Sequence, residues 1–170
     1  MGYKFSVMVP DVDEKLIRDE DPKKMVLAIS QAKTDALLPK IKEPAILITG
    51  DQVVLCNGKI LEKPKNKNEA RKFLKLYAKY PATTINATTV TNTANNKQQS
   101  TIDTATIWFR SIPNEIIEEI IEKESALECA GGFSIDGPIL QNYVTKIEGT
   151  KDSITGLPKE LTRKLIAMVA

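Results

Sequence analysis

The chain contains no histidine. That absence removes imidazole as a base or metal ligand, and with it Ser-His-Asp triads and His-bearing zinc sites. Only two cysteines occur, Cys56 and Cys129, with no Cys-x-x-Cys pair, so a zinc finger is excluded. One lies in a strand-like run and the other follows a helical stretch, so both read as reduced core thiols of a cytosolic protein. There is no Gly-x-x-x-x-Gly-Lys-[Ser/Thr] P-loop and no Gly-x-Gly-x-x-Gly dinucleotide fingerprint. No apolar run reaches membrane-spanning length and no signal-peptide pattern occurs, so a cytoplasmic protein without a membrane partner is expected. Charge of either sign is not in excess: 24 Lys+Arg face 22 Asp+Glu, a net of +2. A dedicated nucleic-acid binder usually carries a basic excess, so no nucleic-acid partner is expected. At 170 residues the chain is long enough to fold around its own core without a disulfide or metal.

What is present centres on one stretch. Residues 45–48 form a short apolar run, the pattern of a strand buried on both faces. Thr49-Gly50 end the run and Asp51 follows. A carboxylate at the mouth of a buried strand is held rigidly and partly desolvated, as a general base or metal ligand must be. Gly-Asp is also a common turn signal, so a plain turn cap stays open on these residues alone. Upstream, Tyr3, Phe5, Val7 and Val9 alternate and predict a strand over residues 3–9, followed by the acidic loop Pro10-Asp11-Val12-Asp13-Glu14. Asp21-Pro22 predicts a helix start. Its buried face is expected at Met25, Ala28, Ile29, Ala32, Ala36 and Leu37. Lys33 falls at the edge of that face, where a lysine either snorkels to water, the commoner outcome, or points into a cleft.

Downstream, Asn57-Gly58 between residues 52–56 and 59–61 predicts a hairpin. Asn66 and Glu69 have capping-box-like spacing before a helix expected over residues 67–80, with Ala70, Phe73, Leu74 and Tyr77 inward. Residues 83–93 and 100–110 predict a long Thr-rich hairpin with a polar outer face. Pro113 opens a helix to about residue 123, whose Glu115, Glu118, Glu119 and Glu122 read as a solvated face rather than a metal site. The glycine-rich turn at residues 130–137 leads into a short strand, another strand covers residues 143–147, and a terminal helix buries Leu161, Leu165 and Val169.

Two carboxylates and two lysines stand at predicted loop or strand ends: Glu14, Asp51, Lys33 and Lys63. Such a set suits phosphoanhydride hydrolysis. Carboxylates can hold magnesium and activate water, while ammonium groups neutralise phosphate oxygens. Sequence separation alone does not bring the four together.

Seven motifs in order then make the chain similar to the Maf-like nucleotide pyrophosphatases over nearly its whole length. Asp11-Val12-Asp13-Glu14 resembles the family's acidic loop, and Ala32-Lys33 its helix motif. Thr49-Gly50-Asp51-Gln52-Val53-Val54 resembles the family's Asp-bearing strand end, and Glu62-Lys63-Pro64 the lysine motif before the next helix. Ala130-Gly131-Gly132-Phe133-Ser134-Ile135-Asp136-Gly137 resembles the glycine-rich turn. Ile147-Glu148-Gly149 and Gly156-Leu157-Pro158 resemble the closing motifs. The beginning and end of the chain are most similar to eukaryotic members.

The resemblance implies a mixed α/β fold of the inosine triphosphatase type, with a bent sheet, flanking helices and two lobes around a cleft. It implies one Maf-like domain over residues 1–170 and hydrolysis of a nucleoside triphosphate to monophosphate and pyrophosphate. A divalent metal, magnesium or manganese, and a possible homodimer go with it. Asp51 would activate water, and Glu14 with Asp51 would hold the metal. Lys33 and Lys63 would contact phosphates, and Gln52 and Asp136 would discriminate the base. Two departures follow. The chain begins downstream of the family's Ser-x-Ser-x-Arg-Arg phosphate clamp and its central-sheet strand, so the resemblance also allows a catalytically weakened, nucleotide-binding regulatory protein of the cell-division-arrest type. Members that act on dTTP and UTP carry Thr after the Asp and Gln in the glycine-rich turn. Gln52 and Asp136 here resemble instead the branch acting on 7-methyl-GTP.

Overall fold

The computed structural model describes residues 1–170. It is a mixed α/β structure: a five-stranded antiparallel sheet flanked by helices, as expected. The elements are α1 (Pro22–Leu37), β1 (Ile46–Cys56), β2 (Lys59–Leu61), α2 (Lys67–Leu76), β3 (Ala82–Asn92), β4 (Lys97–Phe109), α3 (Asn114–Lys123), β5 (Val144–Glu148), α4 (Lys151–Ile154) and α5 (Lys159–Val169). Strand order is β2-β1-β3-β4-β5.

Local chemistry explains most boundaries. Asp21 caps α1 by accepting a hydrogen bond from the Lys23 N–H at 2.9 Å, with Pro22 in the first turn. Asn66 caps α2 by accepting from the Glu69 N–H at 3.0 Å. Asn57 and Gly58 both take positive φ, 48° and 71°, and pair Cys56 with Lys59 across a two-residue turn. That is the hairpin geometry Asn-Gly favours.

Four expectations change. First, β1 is continuous from Ile46 to Cys56, so Asp51 sits within a strand and not at its mouth. Gly50 is not a turn residue; a Cβ there would lie 2.8 Å from the Ala87 carbonyl oxygen, so glycine permits a close backbone approach. Second, residues 3–9 form no strand, and Phe5, Val7 and Val9 are each at least four-fifths exposed. Alternation alone does not make a strand without a neighbour to hydrogen-bond. Third, β3 is buried along nearly its whole length, and Thr83, Thr84, Thr89 and Thr91 hydrogen-bond to β4, so the sheet is not half-exposed there. Fourth, the glycine-rich stretch forms a 3-10 turn, Ala130–Gly132, and leads into no strand.

By Cα proximity the chain forms two compact units. The first comprises Met1–Asp51, Asn86–Asp103 and Leu157–Ala170, the second Gln52–Ile85 and Thr104–Gly156. In the first, Val90, Leu165 and Val169 make a small core with Ile48 and Ile166 against it. The second holds the larger core, in which Tyr77, Phe109 and Phe133 stack pairwise with centroids 5.4–5.5 Å apart. Tyr77 donates to the Gly131 carbonyl at 2.6 Å, which satisfies its buried hydroxyl. Gly131 has φ +70°, and a Cβ there would lie 2.7 Å from that hydroxyl, so only glycine fits. Cys56 is a free buried thiol, and burial pushes its pKa up to about 11. Three of the α3 carboxylates pair with basic partners: Glu118 takes a bidentate contact from Arg71 at 2.5 and 2.7 Å, Glu122 pairs with Lys67 and Glu119 with Lys123.

Gly50→Ala forces the new methyl against backbone. The overpacking is expected to cost about 1–3 kcal/mol, a drop of roughly 3–10 °C in melting midpoint for a chain of this size. A thermal melt with an unchanged midpoint would contradict the close approach.

Candidate active site

The site is built in the first unit by the seating of α1 on β1. Side chains alternate along a strand, so Thr49 and Asp51 share one face of β1. On a helix, residues three and four apart share a face, which groups Ser30, Lys33 and Thr34. Hydroxyls join the two. Thr49 donates to the Ser30 carbonyl at 3.0 Å, and its Oγ1 lies 2.6 Å from Thr34 Oγ1. Ser30 in turn donates to Thr89 on β3 at 2.9 Å, and Thr89 bonds Ser100 on β4 at 2.9 Å. Ser30, Thr34, Thr49 and Thr89 are all buried. Ser30 and Thr34 take inward positions of α1 beside Met25, Val26, Ile29 and Leu37, whereas Ala28 is exposed and Ala32 and Ala36 are half-buried. A search for apolar periodicity passes over them; the signal available was a hydroxyl at each of positions 30, 34, 49 and 89.

Beside these hydroxyls Lys33, one residue before Thr34, meets Asp51, two residues after Thr49. Its Nζ donates to Asp51 Oδ1 at 2.9 Å and to the Gly50 carbonyl at 3.2 Å. The same ammonium lies 2.9 Å from Glu14 Oε1. Glu14 is delivered by a 3-10 turn, Glu14–Leu16, in which Asp13 accepts from the Lys15 N–H at 3.1 Å. The Lys33 and Asp51 side chains are 15% and 11% exposed and that of Glu14 is 50% exposed. Lys33 therefore turns its ammonium onto two carboxylates and does not snorkel. Burial on its own would lower the Lys33 pKa. The hydrogen bond and charge of Asp51, then those of Glu14, outweigh it and leave the group above its ordinary 10.5. Lys33 is a fixed cation at neutral pH.

Three of the residues singled out in the sequence, Glu14, Lys33 and Asp51, thus converge. The other three belong to the second unit. Lys63 is exposed, and its charge acts on Cys129, opposing the rise that burial and Glu128 give that thiol. Gln52 turns its amide inward and donates to the carbonyls of Ser153 at 3.4 Å and Ile154 at 3.0 Å. Asp136 pairs with Lys151 at 2.8 Å. Thr84, Glu124 and Lys151 have no signal in the sequence, where a lone Thr, Glu or Lys carries no pattern.

No group of three or more His, Cys, Asp or Glu side chains is placed to hold a metal. Glu14 and Asp51 do converge on one cation, the Lys33 ammonium. Two carboxylates suit a magnesium-type ion that draws its remaining ligands from water and phosphate, rather than a closed protein cage.

Comparison with known proteins bears on the family of the chain. The family model described as Maf-like protein matches residues 1–169. A 7-methyl-GTP pyrophosphatase of Dictyostelium discoideum is 40% identical over 177 residues, taking in 100% of this chain and 89% of that protein. A dTTP/UTP pyrophosphatase of Vibrio vulnificus (strain YJ016) is 32% identical, covering 98% of this chain and 88% of that protein. A 7-methyl-GTP pyrophosphatase of Idiomarina loihiensis is 30% identical, covering 93% and 80%.

Because the Lys33 pKa is raised on folding, its stabilising effect is complete below the unfolded lysine value and is lost as pH rises through the folded one. Urea unfolding from about pH 8 to about pH 11 should therefore show the wild type losing more stability than Lys33→Met over the upper part of that range. Parallel curves would contradict the ion pairing.

Proposed function

The chain belongs to the Maf-like family, and on that premise we propose that it is a nucleoside triphosphate pyrophosphatase. Water and a nucleoside triphosphate give the monophosphate and pyrophosphate by cleavage of the α–β anhydride. The observation that carries the reading is the convergence of Lys33 on Asp51 and Glu14. Asp51 is the proton acceptor for the attacking water. Its carboxylate is oriented by the Lys33 ammonium on Oδ1 and by its place within a paired strand, which is the preorganisation a general base needs. Lys33 contributes positive charge toward the phosphate oxygens, and a charged, partly buried ammonium is worth far more there than a solvated one. Lys63 supplies a second cation to the phosphates. Glu14 and Asp51 are the residues that would hold a divalent metal, magnesium or manganese. The ion would supply charge neutralisation and a more acidic water.

For the base, the relatives' names support 7-methyl-GTP first and dTTP or UTP second. The carboxylate of Asp136, 65% exposed, gives a cationic methylated purine an electrostatic partner. Gln52, bound to two backbone carbonyls, contributes by fixing the segment at 153–154. We read residues 1–170 as one Maf-like domain working in the cytoplasm, consistent with a match over residues 1–169 and with the absence of any helix long and apolar enough to cross a membrane.

Pyrophosphate release over a panel of 7-methyl-GTP, GTP, dTTP and UTP with magnesium or manganese tests the reading. Asp51→Asn is expected to lower kcat by about 10²–10⁴-fold, with binding largely kept. Turnover unchanged by that substitution would remove Asp51 from its role. Nucleotide binding by the wild type without release of pyrophosphate would favour a regulatory protein.

A further inference from the structure

Within the second unit, Asp136 and Lys151 stand on two segments that are each anchored separately. Asp136 follows Ser134, whose hydroxyl accepts the Asp136 N–H at 3.3 Å and whose carbonyl accepts the Gly137 N–H at 3.1 Å. Just beyond, the buried carboxylate of Glu124 accepts the N–H of Ile139 at 2.5 Å and of Leu140 at 3.3 Å. It also fills the space a Cβ on residue 137 would need, so Gly137 is the residue that lets this loop close over Glu124. Lys151 opens α4, which Thr150 caps by accepting the Ser153 N–H at 3.1 Å. The far end of α4 is tied to the sheet. Gln52 donates to the Ser153 and Ile154 carbonyls, and Thr84 donates to the Ser153 carbonyl at 3.3 Å. Both backbones are thus held without help from the Lys151–Asp136 pair. With its side chains 53% and 65% exposed, the pair is not needed to shape either segment.

What the pair does is set a charge. We infer that Lys151 tunes base preference by neutralising Asp136, so that a cationic base must compete with the lysine for that carboxylate. The inference rests on the nucleotide binding that the pyrophosphatase reading includes, with Asp136 facing the base. N7-methylation gives the guanine ring a positive charge that GTP lacks. A bare Asp136 would favour the methylated ring by simple attraction, and Lys151 at 2.8 Å opposes that advantage. Lys151 is accordingly a positioning residue for the charge of Asp136, not a catalytic one. It makes the site less selective for a cationic base than Asp136 alone would.

The test measures dissociation constants by calorimetry for the α,β-methylene analogues of 7-methyl-GTP and GTP, which cannot be cleaved at the α–β bond. Pyrophosphate release from the natural nucleotides is followed in parallel. Lys151→Met is expected to raise the preference for the methylated analogue by about two- to five-fold, the scale of an exposed ion pair. Lys151→Arg should keep the wild-type preference, and added salt should shrink the gain. In an Asp136→Asn background, Lys151→Met should leave the preference unchanged, a dependence that a merely structural lysine would not show. An unshifted preference, a gain that persists in Asp136→Asn, or failure of the wild type to bind either analogue overturns the inference. If the preference shifts while no natural nucleotide releases pyrophosphate, the charge control stands and the pyrophosphatase reading falls. If pyrophosphate is released and the preference does not move, the reading stands and the charge control falls.

Discussion

The seating of α1 on β1 by buried hydroxyl groups is the constraint on which the candidate site depends. Thr49 bonds the Ser30 carbonyl and the Thr34 hydroxyl, and the next inward residue of the strand, Asp51, then falls opposite Lys33. Apolar packing would tolerate small slides of a helix along a strand; buried hydroxyls do not, since each loses its partner if the register shifts. Polar side chains at core positions thus give a directional fit that hydrophobic contact lacks. The catalytic reading inherits its geometry from that fit.

The ion contacts gain from their surroundings. Lys33 and Asp51 are mostly shielded from water while Glu14 is half-exposed, so the pair between α1 and β1 is less screened than the contact with Glu14. An ammonium bound to two carboxylates keeps mutually repelling groups side by side, as a site that handles a polyphosphate and a cation requires. In the second unit the arrangement is different in kind. There the backbone is fixed by Glu124, Gln52 and Thr84, and the charged pair Lys151–Asp136 lies at the surface.

Local signals in the chain foretold local structure. Asn57-Gly58, Asp21-Pro22 and Asn66 with Glu69 act through neighbours in sequence, and each turn or cap appears where its chemistry placed it. Signals that depend on distant partners were less legible. Gly50 looked like a strand end because its role, a close approach to Ala87, involves a strand that lies far along the chain. Residues 3–9 alternate like a strand, yet pairing is a property of two segments and the pattern describes one. Apolar spacing puts Ala28 on the inward face of α1, whereas the folded helix exposes it and turns Ser30 and Thr34 inward to hydrogen-bond. Of the candidate residues, Glu14, Lys33 and Asp51 were found as types suited to phosphate chemistry. That their charged groups meet could be read only from the folded chain.

The convergence of Lys33 on Asp51 is tested most directly by a double-mutant cycle on folding stability with Lys33→Met, Asp51→Asn and the double variant. A coupling of about 0.5–3 kcal/mol is predicted, as for charged groups in contact. Additivity within about 0.3–0.5 kcal/mol, as for residues that do not touch, would contradict it.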